Sequence, residues 1–239
     1  MTWAASDPGG ADAGYIEQIR SDAAAVATVL LQQGPDAPVA ACPGWGVGDV
    51  IGHLGEVHRW ATEIVRTGEA VEREEHPPAT AQLWSWFDAG AHALCQALED
   101  TDPERPCWTF GFPPARAGFW RRRQAFETAV HHFDVAHATG TPFDLDPAMA
   151  ARGVTEVVTF TYPRQVALER TPSLAQSVRL RATDAGDAWT LGSSVEPRAE
   201  IAGPAVALLL MLWGRRHEPL TRSGDAAALA AFDATAITP

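Results

Sequence analysis

FETAVHHFD, residues 126–134, sits in a run that keeps helical spacing from about Phe119 to Thr139 and closes at Gly140. Glu127 and His131 are four positions apart, so on a helix they share a face, and a carboxylate and an imidazole so placed can converge on one ion. Further back, GDVIGHLGEVHRW (48–60) puts His53 in the row Val50, His53, Val57, Trp60, the inward row of a second helix. If the two helices pack together, His53, Glu127 and His131 make a His/Glu/His metal site with room for a reacting ligand. Glu127 lies beside Phe126 and Val130, where an unpaired carboxylate is costly. Pairing with Arg123 is the alternative to a metal for that carboxylate, and a satisfied core histidine is the alternative for His53. Asp134, one turn beyond His131, is a candidate to orient an imidazole, with an ordinary acid on the helix surface as the alternative.

These two helices belong to a set of four. Ile16, Ile19, Ala23, Val26 and Leu30 recur at helical spacing until Gly34-Pro35, and Val47 to Val65 repeat the pattern until Gly68. Leu83, Trp84, Phe87, Ala91, Leu94 and Leu98 mark the third helix, ended by EDTDP. Short connections favour an up-and-down four-helix bundle, an architecture that houses metals between facing helices. The loop from Asp100 to Gly118 is longer and carries Trp108, Phe110 and Phe112, the composition of a lid or binding loop. Arg121, Arg122 and Arg123 are expected as a solvated helix start. Solvated or capping roles are expected for His58, His76, His92, His132, His137 and His217.

The second half changes period. Asp146-Pro147 reads as a cap and first residue of a helix through about Phe160. VRLRA from Val178, AWTL after the DAGD turn, and AEIA before Gly203-Pro204 then alternate as short strands, and AVALLLMLWGRR follows as an apolar helix. The Ala-rich end is a last helix or a frayed tail. The expected fold is mainly α with an α+β part: a bundle over residues 1–145 and a small α+β domain over 146–239.

The chain has 239 residues, 46% apolar, enough for one large core or two modest ones. Its 18 basic against 30 acidic side chains give a net charge of -12, which argues against nucleic acid or an anionic membrane as partner. The start of the sequence lacks signal-peptide features and no apolar run reaches membrane length, so a cytoplasmic protein is expected. Cys42, Cys95 and Cys107 are widely spaced and expected as reduced thiols.

Taken in order, CPGWGVGDVIGHLGEVHRW (42–60), ETAVHHFD (127–134), LRATDAGDAWTL (180–191) and GPAVALLLMLWGRR (203–216) resemble the mycothiol-dependent maleylpyruvate isomerase family. The resemblance implies a DinB-like metal-binding bundle followed by a small α+β domain, with zinc or another divalent ion on His53, Glu127 and His131. It departs from the family at Gly46, where Ser or Thr usually caps the helix, and at Phe126, often His; neither change removes a ligand.

The resemblance also implies the chemistry. An open zinc position binds thiolate and releases its proton, making the low-molecular-weight thiol mycothiol a nucleophile near neutral pH. The thiolate adds to the double bond of a small unsaturated or electrophilic acid, allows rotation, and leaves; an S-transferase keeps the sulfur on its substrate instead. Metal-dependent hydrolysis and non-catalytic binding of metal or thiol are the alternatives. Arg215 or Arg216 is expected to pair with a substrate carboxylate, a favourable position for a basic residue at a helix C-terminus in any case. Trp108, Phe110 and Phe112 are expected to cover the apolar part of the thiol pocket, with anchoring of their own loop as the other role.

Overall fold

The computed structural model describes residues 12–73, 77–111, 113, 115–215 and 220–239. The chain divides into two compact units, Met1–Phe143 and Asp144–Pro239.

The first unit is a bundle of α1 (Asp12–Gln33), α2 (Val47–Thr67), α3 (Thr80–Asp100) and α4 (Gly118–Thr139). Its core joins Val26, Leu30, Val47, Ile51, Leu54, Leu83, Phe87 and Val135 from all four helices. Where α2 meets α3, Gly55 is required by close approach: a Cβ there would stand 2.3 Å from Cζ3 of Trp86. The N-terminus of α2 lacks a capping hydroxyl, but Asp49 Oδ2 accepts from the Gly46 N–H at 2.8 Å, supplying the half of a capping box that needs no side chain at the cap. A Cβ at Gly46 would meet the Pro35 carbonyl oxygen at 3.0 Å, a tight fit for the missing Ser or Thr.

Helix α4 is enclosed almost all round, so its polar side chains must find partners inside. His132 Nδ1 lies 2.8 Å from Asp22 Oδ1 on α1, and His58 Nε2 lies 3.0 Å from Thr128 Oγ1 across α2 and α4. Both histidines are buried, which corrects the solvated role expected of them. Burial pushes His58 down to about 3 and keeps it neutral. The arginines at the start of α4 are not a solvated set either: Arg123 is buried, and Arg121 donates to the carbonyls of Leu98 and Thr101 at 2.9 Å each. His76 and His217 lie outside the described residues.

The second unit opens with Asp146, whose carboxylate accepts from the N–H groups of Ala148 and Met149 at the head of α5 (Pro147–Glu156). A π-helical turn, Val157–Thr161, leads into α6 (Tyr162–Ala167), so the helical stretch runs beyond the expected end at Phe160. Four strands follow, β1 (Ser177–Ala182), β2 (Ala188–Leu191), β3 (Pro197–Gly203) and β4 (Thr221–Gly224), in the order β2-β1-β3-β4. β1 pairs antiparallel with β2 and parallel with β3, and β4 pairs antiparallel with β3. The parallel pairing needs a crossover, which the β2 hairpin and its loop provide. α7 (Ala205–Leu212) follows β3, and α8 (Ala226–Asp233), capped by Asp225, forms the Ala-rich end.

The cysteines are free thiols; burial pushes Cys95 up to about 11 and raises Cys107, leaving both protonated near neutral pH. No helix among the described residues is long and apolar enough to cross a membrane.

Candidate metal centre

His53 on α2 and Glu127 and His131 on α4 come together as the i, i+4 spacing predicts. Glu127 Oε1 lies 3.4 Å from His53 Nε2 and 3.6 Å from His131 Nε2, and the donor atoms of all three lie within 4.8 Å of one another. A tetrahedral ion with bonds of about 2.1 Å sets its ligands roughly 3.4 Å apart. The donor types and their spacing therefore fit a zinc-like ion.

Each donor is held from behind. Asp134 Oδ2 lies 2.9 Å from His131 Nδ1 with its side chain fully buried, leaving Nε2 turned toward the other donors. Burial disfavours a charge on His131, yet hydrogen bonds with Asp134 and Glu127 push it up to about 9. Burial alone would raise Glu127; the Arg123 guanidinium on its Oε2, together with His131 and His53, holds its carboxyl well below the usual range. The pairing with Arg123 thus coexists with the donor cluster, since Arg123 takes one oxygen and the histidines face the other.

His53 has a support that the sequence did not disclose. Arg73, between α2 and α3, places NH2 3.0 Å from His53 Nδ1 and 3.2 Å from Glu56 Oε2. A guanidinium only donates, so Nδ1 accepts and His53 carries its proton on Nε2, toward Glu127. Coordination through Nε2 requires that proton to leave or move to Nδ1, and Arg73 must then give way. His53 is 23% exposed rather than sealed in the bundle interior. It lines a cavity of about 600 Å³ together with Trp45, Asp49, Glu56, Arg73 and Leu83.

A second donor set, Cys42, His131 and Asp134, overlaps the first. There Asp134 already serves as the acceptor for His131, and Cys42 Sγ stands 4.0 Å from the same carboxylate oxygen.

Trp108 and Phe110 are not among the described residues that line the cavity at His53. Trp108 and Phe110 pack with Trp60 and Trp120 at ring-centroid distances of 5.0–6.2 Å, the Trp108 N–H donates to Gly68 O, and Trp120 Nε1 donates to Trp108 O. Rings that bury one another here anchor the loop to the end of α2. Phe112 lies outside the described residues. Arg215, just beyond α7 in the second unit, donates to Trp213 O at 2.6 Å, and Arg216 lies outside the described residues.

The chain is thus a DinB-like helical bundle in which two histidines and one carboxylate converge, with a small α+β unit as its second part. A family model described as the mycothiol maleylpyruvate isomerase N-terminal domain matches residues 16–136, and the MDMPI C-terminal domain model matches residues 148–231. The chain belongs to the mycothiol maleylpyruvate isomerase family, a family of enzymes. The crystal structure of the mycothiol-dependent maleylpyruvate isomerase is similar to it with a TM-score of 0.70 at 12% identity, covering 90% of this chain and 94% of that one. A histidine-to-alanine mutant of that isomerase gives 0.68 at 12% identity with the same coverage, 90% and 94%. At this identity the likeness is one of fold. No curated protein matches the sequence.

Proposed function

We propose that the chain is a metal- and mycothiol-dependent isomerase of the cytoplasm, acting on a small unsaturated acid of the maleylpyruvate type, with a zinc-like ion on His53, Glu127 and His131. The observation that carries this is the convergence of those donors within 4.8 Å of one another, Glu127 Oε1 standing 3.4 and 3.6 Å from the two imidazole nitrogens. A bound divalent ion supplies an open Lewis-acid position at which a thiol loses its proton near neutral pH.

The chain's own residues prepare that position. Asp134 fixes the ring orientation of His131, and Arg123 keeps Glu127 ionised while leaving Oε1 to face the histidines. An S-transferase would use the same centre, so the product decides between them.

The test is to mix zinc-loaded protein with mycothiol and maleylpyruvate, or with a panel of electrophiles, and to follow isomerisation and thioether formation separately. Isomerisation without thiol consumption supports the proposal. Stoichiometric adduct selects the transferase, and equal rates with and without mycothiol rule out thiol dependence. Elemental analysis of His131→Ala should show loss of metal; unchanged stoichiometry excludes His131 as an essential ligand.

A further inference from the structure

The cavity at His53, about 600 Å³, falls within the range of roughly 300–1,000 Å³ typical of small-molecule sites. A second cavity of about 550 Å³ adjoins it, with Asp36 and Trp45 in both walls. Trp45 is 37% exposed and its ring centroid lies 5.3 Å from that of His53. Its indole therefore offers an exposed apolar face beside His53.

Charge decides what can lie on it. Asp36, Asp49 and Glu56 line the first cavity against one guanidinium, Arg73, whose charge Glu56 already meets at 3.2 Å. The remaining carboxylates repel a dicarboxylic acid but accept hydrogen bonds from hydroxyls. Asp49 keeps acceptor capacity beyond the bond from the Gly46 N–H. Aromatic carbon on one side and carboxylates at its edge suit a saturated ring bearing hydroxyls: its C–H face covers the indole and its hydroxyls reach the oxygens.

We infer that this cavity binds the polyhydroxylated, saccharide part of the thiol cofactor, with Trp45 as the stacking face and Asp36 and Asp49 as hydroxyl acceptors. The inference rests on the thiol dependence proposed above. It puts the body of the thiol against the loop between α1 and α2, and leaves an acidic substrate to approach His53 away from Asp36 and Asp49.

Two measurements test it on the full chain. In the first, metal-depleted protein is titrated calorimetrically with glucosaminyl-inositol, the thiol-free portion of mycothiol. In the second, metal-loaded protein is assayed with mycothiol and with N-acetylcysteine, and the preference is taken as the ratio of the two kcat/KM values, which cancels any change in the metal centre. The fragment should bind the wild type and not Trp45→Ala. The preference for mycothiol should fall roughly tenfold in Trp45→Ala and recover in Trp45→Phe. Asp36→Asn, at an exposed loop position, should weaken both readings and serves if Trp45→Ala misfolds. Unchanged fragment binding and unchanged preference in Trp45→Ala and Asp36→Asn overturn the inference while thiol dependence stands. Equal wild-type rates with and without any thiol overturn thiol dependence, and this inference with it.

Discussion

Metal uptake should depend steeply on pH, because the metal-free protein holds a proton on His131 that a coordinated ion must displace. Asp134 and Glu127 outweigh burial and push His131 up to about 9. Near pH 7, two units lower, the ring is almost wholly protonated, so proton competition weakens apparent affinity about 100-fold, or tenfold per unit. Asp134→Asn keeps the shape and an acceptor oxygen but removes the charge. It should lower His131 and flatten the slope, while weakening the limiting affinity at high pH by about 10–100-fold. Chelator-competition titrations with zinc from about pH 6.5 to about pH 9 measure the slope. Calorimetry in buffers of different ionisation enthalpy counts the proton released. Affinity that is flat over this range with no proton released refutes the reasoning, as does a wild-type slope in Asp134→Asn.

Stability should fall on mild acidification. Burial lowers His58 from 6.5 to about 3, so its contribution is present above about 6.5 and is lost as pH falls toward 3, at up to about 1.4 kcal/mol per pH unit. His131, raised instead, acts in the other window of the metal-free protein: its contribution is full below about 6.5 and lost as pH rises through about 9. Urea melts near pH 7 and near pH 5 check the first claim, and equal acid dependence in wild type and His58→Gln contradicts it. Arg123→Met removes one of the two cations on buried Glu127 and leaves only the His131 imidazolium, so it should destabilise the protein by about 1–3 kcal/mol, with part recovered on adding zinc. Thermal melts with and without metal decide this. Gly55→Ala drives a methyl into the Trp86 indole and should cost about 1–3 kcal/mol of overpacking; a melting temperature equal to wild type contradicts it.

The four bundle helices were legible because each carries an apolar stripe bounded by Gly or Pro, and the convergence of His53, Glu127 and His131 because their spacing places them on facing rows. Arg73 was not legible. It lies in a polar stretch between α2 and α3 with no periodicity, and only the folded chain brings it against His53. β4 was missed because Thr-Arg-Ser-Gly has no alternation and all four residues are exposed, the strand being defined by pairing with β3 rather than by burial. His58 and His132 escaped for a different reason: each is buried by a polar partner distant in the chain, Thr128 or Asp22. The aromatic loop shows the limit of composition, since rings suited to covering a ligand are equally suited to covering one another.

The proposed donors already satisfy one another: Glu127 lies between His53 and His131, Arg73 caps one imidazole and Asp134 the other. In small zinc domains the ligands have no such alternative, and folding waits for the ion. On the proposed reading, an ion at this centre would exchange one closed network for another, so folding of this chain would not wait for it.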